Sequence, residues 1–207
     1  MPPQDRATSK QAQILEGARG AFTTSGYEGT SVDEIAQRAG VSKATVYKHF
    51  ADKKDVFLAF VRCECTRHAA QTFDTPPSEG DIRTILIGIA NSYLHLILSN
   101  HAQAVFRIVV AESQRFPEIG RAFQEAGPET GRRRLERILA GGVARGELMI
   151  DDTDLAARQF LELCKADLFY ERLYGGRTEP TATERDVHAR KTVDMFLRAY
   201  GTPTPRA

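Results

Sequence analysis

Apolar positions recur at helical spacing along the whole chain, and no stretch sustains the apolar/polar alternation of a half-buried strand. Ile14, Ala18, Ala21 and Phe22 fall on one helix face, widened by Leu15, with Gln13, Glu16 and Arg19 opposite. Gly26 stops that helix. As the glycine just past the helix end, it places Phe22 and Tyr27 at the two positions whose apolar contact accompanies such a stop. Ser31, with Glu34 three residues on, has the spacing of a capping box for a short helix whose stripe is Val32, Ile35, Ala36 and Ala39. Gly40 ends it. Ser42 caps a third helix with Val46 and Phe50 inward. Asp52 caps a fourth, with Val56, Phe57, Phe60 and Val61 inward, running to about residue 73. There Thr75-Pro76-Pro77-Ser78 breaks the pattern. Longer helices are expected at roughly 80–99, 102–113, 116–125, 128–145, 153–174 and 183–200, and the tail 202–207 is expected to be disordered.

The segment from Ser31 to Lys54 is the most informative. Two short helices meet through Ala39-Gly40-Val41-Ser42, with small Ala36 at the approach and apolar Val46 on the second helix, the pattern of a helix-turn-helix. Once Val46 and Phe50 face inward, the second helix is left with Lys43, Ala44, Thr45, Tyr47, Lys48 and His49 on its outer side. These residues suit a DNA major groove: Thr and Ala touch thymine methyls, Lys reaches guanine edges and Tyr bonds phosphate. Lys53 and Lys54 stand in the first turn of helix four, where the macrodipole disfavours a cation by some tenths of a kcal/mol. A nearby phosphate would offset that.

The stretch from Thr30 to Phe57, above all Thr-Val-Tyr-Lys-His-Phe at 45–50 followed by Asp52-Lys53-Lys54, resembles the N-terminal signature of the TetR family of transcriptional regulators. The likeness covers about residues 10–60. Phe-Pro-Glu-Ile-Gly-Arg-Ala-Phe at 116–123 is similar to the regulatory domain of one subgroup. The resemblance implies an all-α fold of about nine helices. An N-terminal three-helix helix-turn-helix DNA-binding domain (1–55) precedes a larger C-terminal ligand-binding and dimerisation domain (56–201), and helix four (about 52–73) bridges them. It implies a homodimer on a palindromic double-stranded DNA operator, a repressor released by a small-molecule effector. By motif position Lys43, Ala44 and Tyr47 would face bases. Thr45, His49 and Lys53 would face phosphates, Ser31 and Val32 would lie at the backbone edge, and Lys48 could do either. Ser42 belongs to the same interface.

Helix 153–174 is apolar over much of its circumference, and 183–200 is similar, so each must bury more than the ~100° stripe of a surface helix. Periodicity leaves open whether they lie in the middle of their own domain or pack on a partner; the resemblance implies a four-helix dimer interface. Tyr93, His95, Phe106, Glu112, Phe123 and Phe160 are candidate effector contacts. Arg132-Arg133-Arg134 reads as a solvated face, with Glu129 and Glu136 placed to pair with part of it.

Composition narrows the class. Hydrophobic residues make up 42% of 207, which excludes a disordered chain. No run of apolar residues is long enough for a membrane span, and residues 1–10 lack the apolar core of a secretory signal. Three cysteines, Cys63, Cys65 and Cys164, form no full disulfide set and fit a reducing cytoplasm. Cys63 and Cys65 lack the two-residue gap of a zinc knuckle. The rival reading is an all-helical carrier or enzyme without a DNA role, but no cofactor, metal or catalytic constellation is expected, so catalysis has no residues behind it. The net charge of +1 argues only against coating nucleic acid by bulk charge. From Arg38 to Lys54 there are five basic residues and one acid, so that stretch is +4 and the remainder −3.

Overall fold

The computed structural model describes residues 3–73 and 80–202. Among these it forms eleven helices. They are α1 (Pro3–Gly29), α2 (Val32–Ala39), α3 (Lys43–His49), α4 (Lys53–Phe73), α5 (Ile82–Ile97) and α6 (Asn100–Glu112). They continue with α7 (Pro117–Ala126), α8 (Pro128–Ala144), α9 (Thr153–Lys165), α10 (Leu168–Leu173) and α11 (Ala182–Tyr200). The fold class is all-α, as the spacing predicts. One isolated antiparallel bridge joins Leu148 to Gly201. The expected break at 75–78 and the tail from residue 203 lie outside the described residues. Thr202 is tied down, its N–H donating to the Glu147 carbonyl at 3.2 Å. No single described helix is long and apolar enough to cross a membrane.

Within the described residues the chain packs as two units. One contains everything up to Cys65 together with Ala104–Ala126; the other contains the rest. Helix α4 therefore contributes to both, while α7 and most of α6 join the N-terminal unit.

The core of the first unit is the set of inward positions read from the sequence. Ile14, Ala18, Ala21, Phe22, Ile35, Ala36, Val46, Val56, Phe57, Phe60 and Val61 are all buried, joined by Val105, Val109 and Ile119. Gly26, with φ 71° and ψ −178°, is not helical and interrupts α1 where the sequence places its stop; a short further turn carries the element on to Gly29. The expected Phe22–Tyr27 contact forms, with the rings stacked at 6.1 Å.

Helix α1 crosses α2 at Gly17. A Cβ there would lie 2.6 Å from the backbone nitrogen of Ala39 and 2.8 Å from its Cβ. Backbone cannot yield as a flexible side chain can. Gly17→Ala is therefore expected to destabilise the protein by about 1–3 kcal/mol, against a helix-propensity gain of about 1 kcal/mol. A melting curve in which Gly17→Ala is as stable as wild type would overturn this account of the crossing.

The second unit buries Ile82, Leu86, Ile89, Ala90, Leu94 and Leu98 of α5 and its C-terminal end. Leu135 and Leu139 of α8, Phe160 and Cys164 of α9, and Val193 and Phe196 of α11 are buried with them. The sequence expects one helix over 153–174; the structure breaks it. Asp167, with φ 59° and ψ −65°, is the one described non-glycine residue at positive φ. Such a conformation costs on the order of 1–3 kcal/mol. Arg132 pairs with Glu129 and Glu136, each at 2.9 Å, and with Asp154, so part of the basic run is paired as its spacing suggests.

Candidate nucleic-acid interface

Local capping builds the reading element. The Ser31 Oγ accepts from the Glu34 N–H at 3.1 Å. Only this half of the expected box forms, because the Glu34 carboxylate takes Arg38 at 3.0 Å. Gly40 sits at φ 62°, ψ 36°, a left-handed conformation that glycine adopts without cost. It lets Val41 donate to the Ala36 carbonyl at 3.0 Å. The Nε2 of Gln13 on α1 donates to the Ala39 carbonyl at 2.6 Å and so closes the end of α2 from outside. Ser42 caps α3, accepting from the Thr45 N–H at 3.1 Å, and its hydroxyl lies 2.8 Å from that of Thr45. Val46 is the buried anchor of α3.

These contacts leave Ser42, Lys43, Ala44, Tyr47 and Lys48 exposed, with Thr45 and His49 half-buried beside them. Tyr47 is 49% exposed. The Nζ of Lys43 meets Asp33 Oδ2 at 2.8 Å, and that hydrogen bond raises the lysine pKa above its ordinary value. Ser31 is exposed, but Val32 is not: its side chain belongs to the core. At the backbone edge Val32 can offer only its first-turn amide.

The two lysines of α4 are placed differently from what the sequence argument assumes. Lys53 Nζ donates to the Tyr27 carbonyl at 2.7 Å and lies 4.4 Å from the centre of the Tyr27 ring. Lys54 pairs with Glu118 of α7 at 2.8 Å. The offset sought from a phosphate is thus already supplied within the chain, by the carbonyl-bearing end of α1 and by a carboxylate. Sequence reasoning missed these partners, together with Gln13 and Asp33. Gln13 lies 26 residues from Ala39, and Asp33 lies 10 residues from Lys43, so no local pattern marks either pair.

The six candidate effector contacts divide between the two units. Phe106 and Phe123 meet edge to face in the first, with centroids 5.9 Å apart, and half-buried Glu112 belongs to the same unit. In the second, Phe160 is fully buried against Phe196 at 5.1 Å and His95 is exposed. Tyr93 is half-buried, and desolvation pushes its phenol up.

Burial also sorts the cysteines. It pushes both Cys65 and Cys164 up to about 12, whereas Cys63 is exposed. A thiol reagent at pH 8 should therefore modify one cysteine per chain quickly and all three only after denaturation. Rapid modification of two in the native protein would contradict the packing of Cys65 or Cys164.

Comparison with known proteins agrees with this architecture. The profile of the bacterial regulatory proteins of the tetR family matches residues 14–60. That of the AefR-like transcriptional repressor C-terminal domain matches residues 84–202. Among curated relatives, the transcriptional repressor AcnR of Corynebacterium glutamicum is 40% identical over 65 residues, 31% of this chain and 35% of AcnR. The chain thus spans about a third of the length of the first curated repressors it matches. Among solved structures, a TetR-family protein from Mesorhizobium loti MAFF303099 superposes with a TM-score of 0.90 at 28% identity, covering 95% of this chain and 99% of that one. The flavonoid-responsive regulator FrrA does so with a TM-score of 0.78 at 32% identity, covering 97% and 100%. Two family profiles that together take in both the helix-turn-helix and the C-terminal helices, on a fold shared along nearly the whole chain, place this protein in the TetR family of bacterial transcriptional regulators.

Proposed function

We propose that the protein is a sequence-specific DNA-binding regulator that represses transcription as a homodimer on a palindromic operator and is released by a small-molecule effector. The observation that carries this reading is the outer face of α3. It is polar and exposed, and its helix is fixed from behind by Val46 and from its start by the Ser42 cap. Lys43, Ala44, Tyr47 and Lys48 would meet base edges. Ser42, Thr45, His49, Lys53, Ser31 and the Val32 amide would meet phosphates. Lys53 has three donors, so one bond to Tyr27 leaves it able to take a phosphate.

Dimerisation would use α9 and α11, which leave Leu155, Val187 and Met195 exposed, Met195 to 61%. Two reading heads about 34–36 Å apart would then meet successive major-groove faces. Half-buried Tyr93, Phe106, Glu112 and Phe123 are the residues to test as effector contacts. Exposed His95 and core Phe160 are weaker choices. The name of FrrA makes an aromatic effector the first class to try. The site of action would be the cytoplasm.

A DNA fragment carrying the gene's own promoter should be retarded on a gel, with affinity falling steeply as salt rises, by a slope of about 0.9 per phosphate neutralised. A helical carrier would leave the fragment unshifted at every salt concentration. Promoter fusions separate repression from activation.

A further inference from the structure

Nothing at Lys165-Ala166-Asp167-Leu168 ends a helix by composition: there is neither glycine nor proline, and the apolar spacing runs on. The chain nevertheless leaves the helix at Ala166 (φ −48°, ψ 132°). Asp167 takes positive φ, and the Leu168 N–H donates to the Ala166 carbonyl at 2.7 Å, closing a three-residue turn of the strained γ kind.

Two side chains hold the break from outside. In a continuous helix the Cys164 carbonyl would accept from Leu168. Here it lies 3.2 Å from Nε2 of His188 on α11, and because a carbonyl only accepts, the imidazole donates. Arg172 is buried on α10. Its Nε donates to the Leu98 carbonyl at 2.5 Å, and its other nitrogens reach the Asn100 side chain and, at 3.2 Å, the Arg177 carbonyl. Helix α10 is thereby tied to the turn between α5 and α6. Local preference favours a straight helix, and tertiary contacts favour the bend. Opposed preferences of this kind are the raw material of a two-state element.

We propose that Ala166–Asp167 is a strained hinge with a second state, in which residues 153–173 form one helix, reached when Arg172 leaves the α5–α6 turn. In that state the Leu168 N–H returns to the Cys164 carbonyl and His188 loses its acceptor. A change at the α5–α6 turn is thus passed to α9 and α11. Its regulatory meaning rests on reading α9 and α11 as the helices of subunit association; the hinge itself does not.

The test uses the full chain with 13C-methyl alanine. The Ala166 signal is assigned through Ala166→Ser, and its chemical shift separates extended from helical backbone. Glycine tolerates positive φ and disfavours helix, so Asp167→Gly should abolish the helical fraction. Glutamate does the opposite, so Asp167→Glu should raise that fraction at least about threefold. Arg172→Gln should raise it further. Should that variant fail to fold, the two Asp167 variants decide alone. An Ala166 signal that stays extended in both wild type and Asp167→Glu overturns the hinge, as does a helical fraction that survives in Asp167→Gly. Gel shifts run in parallel separate the two readings. A two-state hinge in a protein that binds no DNA sinks only the operator reading, and a one-state hinge in a protein that binds its operator sinks only the hinge.

Discussion

Phe57→Ala should remove about 3–5 kcal/mol from the first unit, a large part of the 5–15 kcal/mol that holds a typical domain together. Phe57 is fully buried and is the centre of an aromatic cluster. Its ring meets Phe22 edge-on at 4.8 Å, Tyr27 at 5.2 Å and Phe60 at 5.9 Å. Three helical segments are therefore joined through one side chain: the body of α1, its kinked end at Tyr27, and α4. Truncation forfeits the transfer energy of the ring and leaves a cavity that helices tied by the short turns at 30–31, 40–42 and 50–52 cannot collapse to fill. Thermal denaturation followed by circular dichroism should show an early transition for the variant, ahead of the unfolding of the C-terminal helices. DNA retardation should be lost at temperatures above that transition and persist below it. A single transition at the wild-type temperature would mean that the cluster does not organise the unit.

The second large effect concerns reading rather than folding. Lys43→Ala should leave the melting curve near that of wild type, because the side chain is exposed and its one partner here, Asp33, is exposed as well. On DNA the loss should be large. One well-placed base contact is worth about 5- to 150-fold in discrimination against the wrong base. A two-fold symmetric dimer makes the contact twice, so operator affinity should fall by between about 30-fold and 10⁴-fold. The variant should also lose preference at one base pair in each half-site. Lys53→Ala should behave differently. As a phosphate contact it would lower the salt slope by about one unit per half-site and weaken all sequences alike. Its bond to the Tyr27 carbonyl means that its stability must be measured first. Competition binding against operators mutated one position at a time distinguishes the two. If Lys43→Ala weakens every sequence equally, Lys43 is a phosphate contact and the assignment of α3 to the major groove needs revision.

Much of the reading head was legible because its determinants are local. A cap acts on an amide three residues away, and a stripe repeats every three or four residues. The caps at Ser31, Ser42 and Asp52, the stop at Gly40 and the inward set from Ile14 to Val61 can therefore be read directly. Val32 shows where such reading stops. Its motif position put it at the DNA edge, while the same apolar spacing put its side chain in the core. The structure places the side chain in the core, so only the first-turn amide of Val32 is left for the edge that the motif position implies.

The charges were legible as a count but not as contacts. A stretch of +4 in a chain of +1 locates a basic edge. It does not say that Lys53 is held by a backbone carbonyl and Lys54 by Glu118, which are 26 and 64 residues away in sequence. By itself, then, the sequence determined the all-helical class, the order of the elements, the helix-turn-helix and its outward residues. Each of these depends on interactions within about one helical turn. The tertiary structure alone decided the division into units, the partners of the lysines and the break at Asp167. There the winning interactions come from distant segments: Arg172 on Leu98 and His188 on Cys164 outweigh a helical spacing that neither glycine nor proline interrupts, and the chain yields at Asp167, a weak helix former.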